Sequence, residues 1–159
     1  MANDMFIKIG KLAGESVDKA HAGDIDVLAW SWGASNSGSA HVGGGAGSGK
    51  CNVQDLSFTK YLDKSSPQLM LATCAGTHFD KAVLVVRKAG DKPLEYLKIT
   101  LTEVLVTSVA YGSGGEDRLT ENVTLNFAAV TYEYTPQKAD GGKGDAVVTR
   151  WDVSENSSD

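Results

Sequence analysis

Cysteine is nearly missing from this sequence, and much reactive chemistry goes with it. Cys51 and Cys74 are the only two. Two thiols cannot build a disulfide framework, and neither has further ligands nearby at zinc spacing. Both read as reduced thiols. The three histidines, His21, His41 and His78, fall in turns or loops with no two at ligand spacing, and each reads as a surface residue. No G-x-S-x-G elbow and no H-E-x-x-H helix occurs, so two common hydrolase patterns are absent. The acidic pairs Glu116-Asp117 and Asp24/Asp26 lie in turn-rich stretches, where neighbouring carboxylates are solvated rather than set up as acid and base. Nothing in the pattern calls for a metal or other cofactor. No apolar run approaches the roughly 20 residues of a membrane helix. Met1-Ala2-Asn3-Asp4-Met5 lacks the basic and apolar segments of a secretory leader. The expectation is a chain made and folded in the cytoplasm, without membrane insertion. Basic charge is also short: 15 Lys and Arg stand against 20 Asp and Glu. An acid-rich chain repels phosphate backbones, which argues against a nucleic-acid partner.

Period-2 alternation dominates what is there. The chain has 159 residues, 42% of them apolar, enough for one domain over 1–159 with its own core. Strands are predicted over 5–9, 24–32, 53–61, 82–88, 94–111, 123–134 and 146–153. Residues 154–159 form a polar tail. In 24–32, Leu28, Trp30 and Trp32 share one face, and Val27, Ala29 and Ser31 the other. Two indoles bury the largest apolar area available locally, so their face goes to the core and Ser31 points away from it. Two strands change their apolar face midway. Leu97, Ile99 and Leu101 are followed by Val104-Leu105-Val106; Val123, Leu125 and Phe127 are followed by Val130, Tyr132 and Tyr134. Such a change needs a bulge or bend. Bent strands serving two sheets in turn predict a mainly β fold, a compact β-barrel of two sheets.

One flanking helix is expected over about 67–75. Ser65 offers a cap, Pro67 a first turn, Gln68 a capping-box partner and Gly76 a stop. Leu69, Met70, Leu71 and Cys74 make this helix apolar almost all round, whereas a lone helix on a barrel needs only one apolar stripe. Either a neighbouring subunit covers the excess, or the helix is sunk deep in its own domain.

The stretch 33–50 is a long Gly-rich loop, with Gly33, Ser37, His41, Gly43, Gly44, Gly45 and Lys50 among its residues. Gly44, Gly49 and Lys50 satisfy G-x-x-x-x-G-K, the outline of a phosphate loop. The context fails: Cys51 stands where a magnesium-binding Ser or Thr belongs, and a strand pattern rather than a helix follows. A phosphate loop needs a helix N-terminus aimed at the phosphates. A different signal is the set of uncharged polar strand faces, Thr100/Thr102 and Thr124/Asn126. Such faces suit packing against protein or lining a channel, although threonine's own strand preference accounts for part of the pattern.

The residues also carry a resemblance. Met5-Phe6-Ile7-Lys8-Ile9, Ile25-Asp26-Val27-Leu28-Ala29-Trp30-Ser31-Trp32-Gly33, Val53-Gln54-Asp55-Leu56-Ser57-Phe58-Thr59-Lys60-Tyr61 and Arg118-Leu119-Thr120-Glu121-Asn122-Val123 resemble the Hcp family, the inner-tube proteins of type VI secretion systems. The likeness runs through nearly the whole chain, loops included. It implies a β-barrel with one flanking helix, homohexameric rings that stack into a tube, a contractile sheath outside, a spike at the tip, effector proteins in the lumen, and secretion with them. It implies no catalytic residue and no cofactor. Set within such a ring, Ser31 would face the lumen and touch effectors, or else lie at a subunit contact. Leu69, Met70, Leu71 and Cys74 would meet a neighbouring subunit, and the 33–50 loop would join stacked rings. A lectin-like β-sandwich, monomeric or dimeric, and a nucleotide-binding enzyme are the rival classes.

Overall fold

A computed structural model describes residues 3–38, 51–90, 93–112 and 118–158. The alternating stretches become strands β1 (Asn3–Ile9), β2 (Ile25–Asp26), β3 (Ala29–Ser31), β4 (Ala34–Asn36), β5 (Cys51–Val53), β6 (Leu56–Tyr61), β7 (His78–Lys88), β8 (Leu94–Gly112), β9 (Thr120–Tyr134) and β10 (Val147–Asp152), with helix α1 (Ser66–Ala75). The main sheet runs β2-β1-β7-β8-β9-β6-β3, with β10 added to β9; β4 and β5 pair only with each other.

The two ends of that sheet are consecutive in the chain. The Val27 N–H donates to Met5 O at 3.0 Å and the Leu28 N–H to Thr59 O at 2.8 Å. The chain therefore steps from the β1 edge to the β6 edge and closes the curl. This corrects the expected single strand over 24–32. At the step Val27 is buried and Leu28 is 40% exposed, the reverse of the predicted faces. Beyond it the prediction resumes: Trp30 and Trp32 pack against the core, while Ala29 and Ser31 are exposed.

The predicted face changes are real, and they coincide. Inward positions jump by three residues from Phe79 to Ala82, from Leu101 to Val104 and from Phe127 to Val130. These residues are register partners across three strands, so one bend crosses the whole sheet. On β8 it falls at Glu103, whose φ of 54° is left-handed. A further register shift lies between Val106 and Ser108. The two expected sheets are thus two halves of one continuous curled sheet. Between them lie Ile7, Ile25, Leu56, Phe58, Leu84, Ile99, Leu101 and Leu125, each at most 2% exposed. Each such side chain contributes about 1.5–3 kcal/mol of burial.

Helix α1 closes the core with one face only. Leu69 and Ala72 are buried, while Met70 and Leu71 are 45% and 66% exposed and Cys74 is exposed. Leu69 therefore belongs to the barrel core and is withdrawn as a subunit-contact residue. Gly76 ends the helix at φ 68° as expected, but Ser65 makes no side-chain cap. Its hydroxyl donates to the Asp63 carboxylate instead. The polar tail is not extended either: Asp152 and Ser157 exchange backbone bonds, and the Glu155 N–H donates to Asp152 Oδ1 at 2.8 Å.

The long segment between β1 and β2 is held by charges. Arg87 bonds Asp18 and also reaches Asp4 at 3.0 Å. Its guanidinium holds the Asp18 carboxyl down at about 2. His21, expected at the surface, is instead clamped: Nδ1 lies 3.0 Å from Asp24 and Nε2 2.7 Å from Glu95, with the ring stacked on Phe6 at 4.4 Å. Burial pushes the imidazole pKa down, but the Glu95 and Asp24 carboxylates outweigh it, and the net shift is upward from 6.5. A raised folded-state pKa gives stability that is complete below 6.5 and lost as pH rises through the folded value. Urea denaturation at fixed protein concentration is expected to show stability falling as pH is raised above 6.5. The His21→Gln variant should lack that component; an unchanged slope in the variant counts against the clamp.

Candidate functional site

The half of the sheet made from β3, β6, the first half of β9 and the second half of β8 presents an outward face of one character. Strand register sets it in rows. Ser31 pairs with Ser57, Ser57 with Thr124 and Thr124 with Ser108. The next row is Ala29, Thr59, Asn122 and Ala110. Eight small, uncharged side chains thus line up across four strands. Within the rows, Ser57 Oγ lies 3.2 Å from Thr124 Oγ1, and Thr59 donates to Asn122 Oδ1 at 2.6 Å. Charge stands at the margins: Asp55 is tied to Asn126 Nδ2 at 2.9 Å, and Arg118 lies over the Tyr61 ring at 4.1 Å. Ser31 borders a shallow depression with Ser57, Thr59 and Asn122.

The inward positions of the same strands explain how the register is fixed. β6 buries Leu56, Phe58 and then Lys60; β9 buries Glu121, Val123 and Leu125. Lys60 and Glu121 are directly paired and fully buried. Lys60 Nζ lies 2.6 Å from Glu121 Oε1 and 3.0 Å from Asp63 Oδ1. It also donates to Ser66 Oγ at 2.9 Å and Tyr61 O at 3.0 Å. Ser66 Oγ in turn donates to Glu121 at 2.8 Å. One ammonium group therefore joins β6, β9 and the first turn of α1. Sequence reading passed over this network. Its signal was there: Lys60 continues the inward phase of Leu56 and Phe58, and Glu121 that of Val123 and Leu125.

The wall offers hydrogen-bond donors and acceptors without a nucleophile and base in register. Ser57 and Thr124 meet hydroxyl to hydroxyl, and among the described residues no imidazole bonds the wall. Among the described residues no group of three His, Cys, Asp or Glu could hold a metal ion. Ser31, Thr124 and Asn126 come together as one face. Thr100 and Thr102 do not join it: Thr102 pairs with Lys81 on the other half of the sheet, beside the charged Lys98 and Glu133. Gly33 accepts a bond from the Gln54 N–H at 2.8 Å, and residues 34–36 are strand β4. The expected loop thus begins as a paired ribbon, with Ser37 exposed just beyond it. His41, Gly43, Gly44, Gly45 and Lys50 lie outside the described residues. The chain that follows them is strand β5, with no helix N-terminus for a phosphate.

A curled sheet with one half-buried helix against it and a neutral polar wall on one outward face defines the class as a small β-barrel protein. Comparison with known proteins gives the family. Residues 6–134 match the family model described as type VI secretion system effector, Hcp. The chain is 65% identical to the protein hcp1 of Pseudomonas aeruginosa over 159 residues, covering 98% of each. A solved structure of a type six secretion system protein superposes with a TM-score of 0.89 at 34% identity, covering 98% of this chain and 99% of that one. Hcp1 from Salmonella typhimurium gives 0.80 at 34% identity and 99% of both chains. The chain belongs to the Hcp family of type VI secretion system tube proteins, a secreted, self-associating family of structural proteins.

Breaking one side of a buried ion pair costs about 3–5 kcal/mol, whereas replacing both partners with apolar groups costs far less. Lys60→Met and Glu121→Leu are each expected to lose about 3–5 kcal/mol in urea denaturation. The double variant should lose less than either; additive losses would show that the pair does not act as a unit.

Proposed function

We propose that this chain forms homohexameric rings that stack into the inner tube of a type VI secretion system, with the Ser31 wall facing the lumen. The observation that carries this is the pair of rows from β3 to β8. A four-stranded layer with small neutral side chains on one face suits a channel wall: it neither grips a passing polypeptide by charge nor exposes apolar surface to it. Its hydroxyls and amide hold hydrogen-bonding capacity for effector proteins, and Ser31 stands where a bulkier side chain would intrude. The partners in this reading are copies of the chain, sheath proteins outside, a spike protein at the tip and effectors within. Export is by the type VI apparatus itself.

The β4–β5 ribbon pairs only with itself and is no part of the main sheet, which fits a role for the 33–50 loop between stacked rings. Ordering a segment so rich in glycine is entropically costly, so a partner is what fixes it. Deleting residues 43–47 should then leave folding intact and weaken ring-on-ring assembly.

Six copies of 16.7 kDa give about 100 kDa. Native mass spectrometry should find that mass for the wild type and for Ser31→Gln alike. Effector retention should fall in the variant. Dissociation of Ser31→Gln into monomers would move Ser31 to a subunit contact, and unchanged retention would remove it from the lumen.

A further inference from the structure

Two apolar surfaces remain that the wall does not use. The first is a groove beyond the bend, on the inner side of β9 and β10. Val130, Tyr132 and Tyr134 pair there with Trp151, Thr149 and Val147. Trp32 crosses the edge to lie 5.7 Å from Tyr132. The same side of the sheet is core one strand away: the partners of Tyr132 and Tyr134 on β8 are the buried Ile99 and Leu97. Yet Tyr132, Tyr134 and Val147 are 40%, 48% and 64% exposed. The inner face thus runs out from under its cover and leaves a groove of about 470 Å³. The Trp32 indole N–H on its wall is buried and has no partner among the described residues.

The second surface is convex. Pro67, Met70, Leu71 and Cys74 stand at i, i+3, i+4 and i+7 of α1, one stripe, and all are exposed. This is the spacing with which a helix enters an apolar groove. The opposite stripe of α1 is held in the core through Leu69 and Ala72, so the outer stripe is displayed on a fixed support.

We propose that the outer stripe of α1 in one copy seats in the β9–β10 groove of the next copy. This deepens the ring reading above and rests on it. A head-to-tail ring needs two different patches on each subunit that complement one another. Here one patch is concave and the other convex. A ten-residue helix is about 15 Å long, and the six residues of β10 span about 20 Å, so one fits along the other. Charge agrees as well: α1 contains no charged residue, and the groove is lined by Trp, Tyr, Val and Thr. Their contact removes apolar surface from water without stranding a charge.

The test uses two variants at exposed positions, Leu71→Glu and Tyr134→Glu, with circular dichroism confirming the fold; Val147→Glu replaces Tyr134→Glu if that one unfolds. Each alone should break the ring. Leu71→Glu keeps an intact groove and Tyr134→Glu an intact helix, so an equimolar mixture should form one contact and give a 1:1 heterodimer of about 33 kDa in native mass spectrometry. The inference is overturned if either variant keeps the wild-type ring mass, if the mixture stays monomeric, or if either variant dimerises alone. A wild-type monomer would instead overturn the ring reading itself.

Discussion

The Lys60–Glu121 pair is the constraint on which the outward wall depends. Two opposite charges at directly paired inward positions are costly to bury, and their attraction offsets that cost only in one geometry. That geometry is met here by a bond of 2.6 Å, with Asp63, Ser66 and the Tyr61 carbonyl sharing the other two N–H donors of the ammonium group. A slip of one residue between β6 and β9 would exchange inner and outer faces. Lys60 would lose Glu121, and Ser57 and Thr59 would lose Thr124 and Asn122 as partners. A barrel filled only by Leu, Val and Phe would resist such a slip less sharply. The network therefore specifies register more than it adds stability, and register is what aligns the wall's rows.

The same network places α1. Ser65 faces Asp63 rather than its own helix, and Ser66 is held by Lys60 and Glu121. The helix start is thus fixed by the sheet, not by a local cap. That is why the capping signal at Ser65 and Gln68 located the helix correctly yet misread how it begins. Local sequence rules rank the cheapest local partner, and here a buried tertiary partner wins.

Other features were legible in the same graded way. Alternation placed the long strands within a few residues, because period 2 is a property of each strand alone. The face changes on 94–111 and 123–134 announced the bend, since a continuous strand has no other way to change sides. What alternation could not show was the partner across the sheet. Ser57, Ser108 and Ala110 became part of the wall only through register with Thr124 and Asn122. The break at Val27 and Leu28 was hidden for a related reason. An apolar residue follows an apolar residue there, and only the two hydrogen-bonding edges it joins reveal that the chain is changing sheets' ends. Leu69 was indistinguishable from Met70 and Leu71 by composition; burial separates them because a lone helix can turn only one stripe inward.

Two different surfaces of the subunit share one strand. β9 carries Asn122 and Thr124 of the wall at one end and Tyr132 and Tyr134 of the groove at the other. The Thr124-to-Tyr132 separation is eight residues, roughly 26 Å of extended chain. Between them lies the bend at Phe127 to Val130, pinned by Leu101 and Val104 of β8 and by Phe79 and Ala82 of β7. A close-packed core does not deform continuously, so the angle between the two halves is set by that packing. Where the groove sits relative to the wall is consequently a property of the folded subunit, fixed before any assembly. The curvature of a ring built through the groove would be written in the bend, and the smoothness of its channel in the rows held by Lys60 and Glu121.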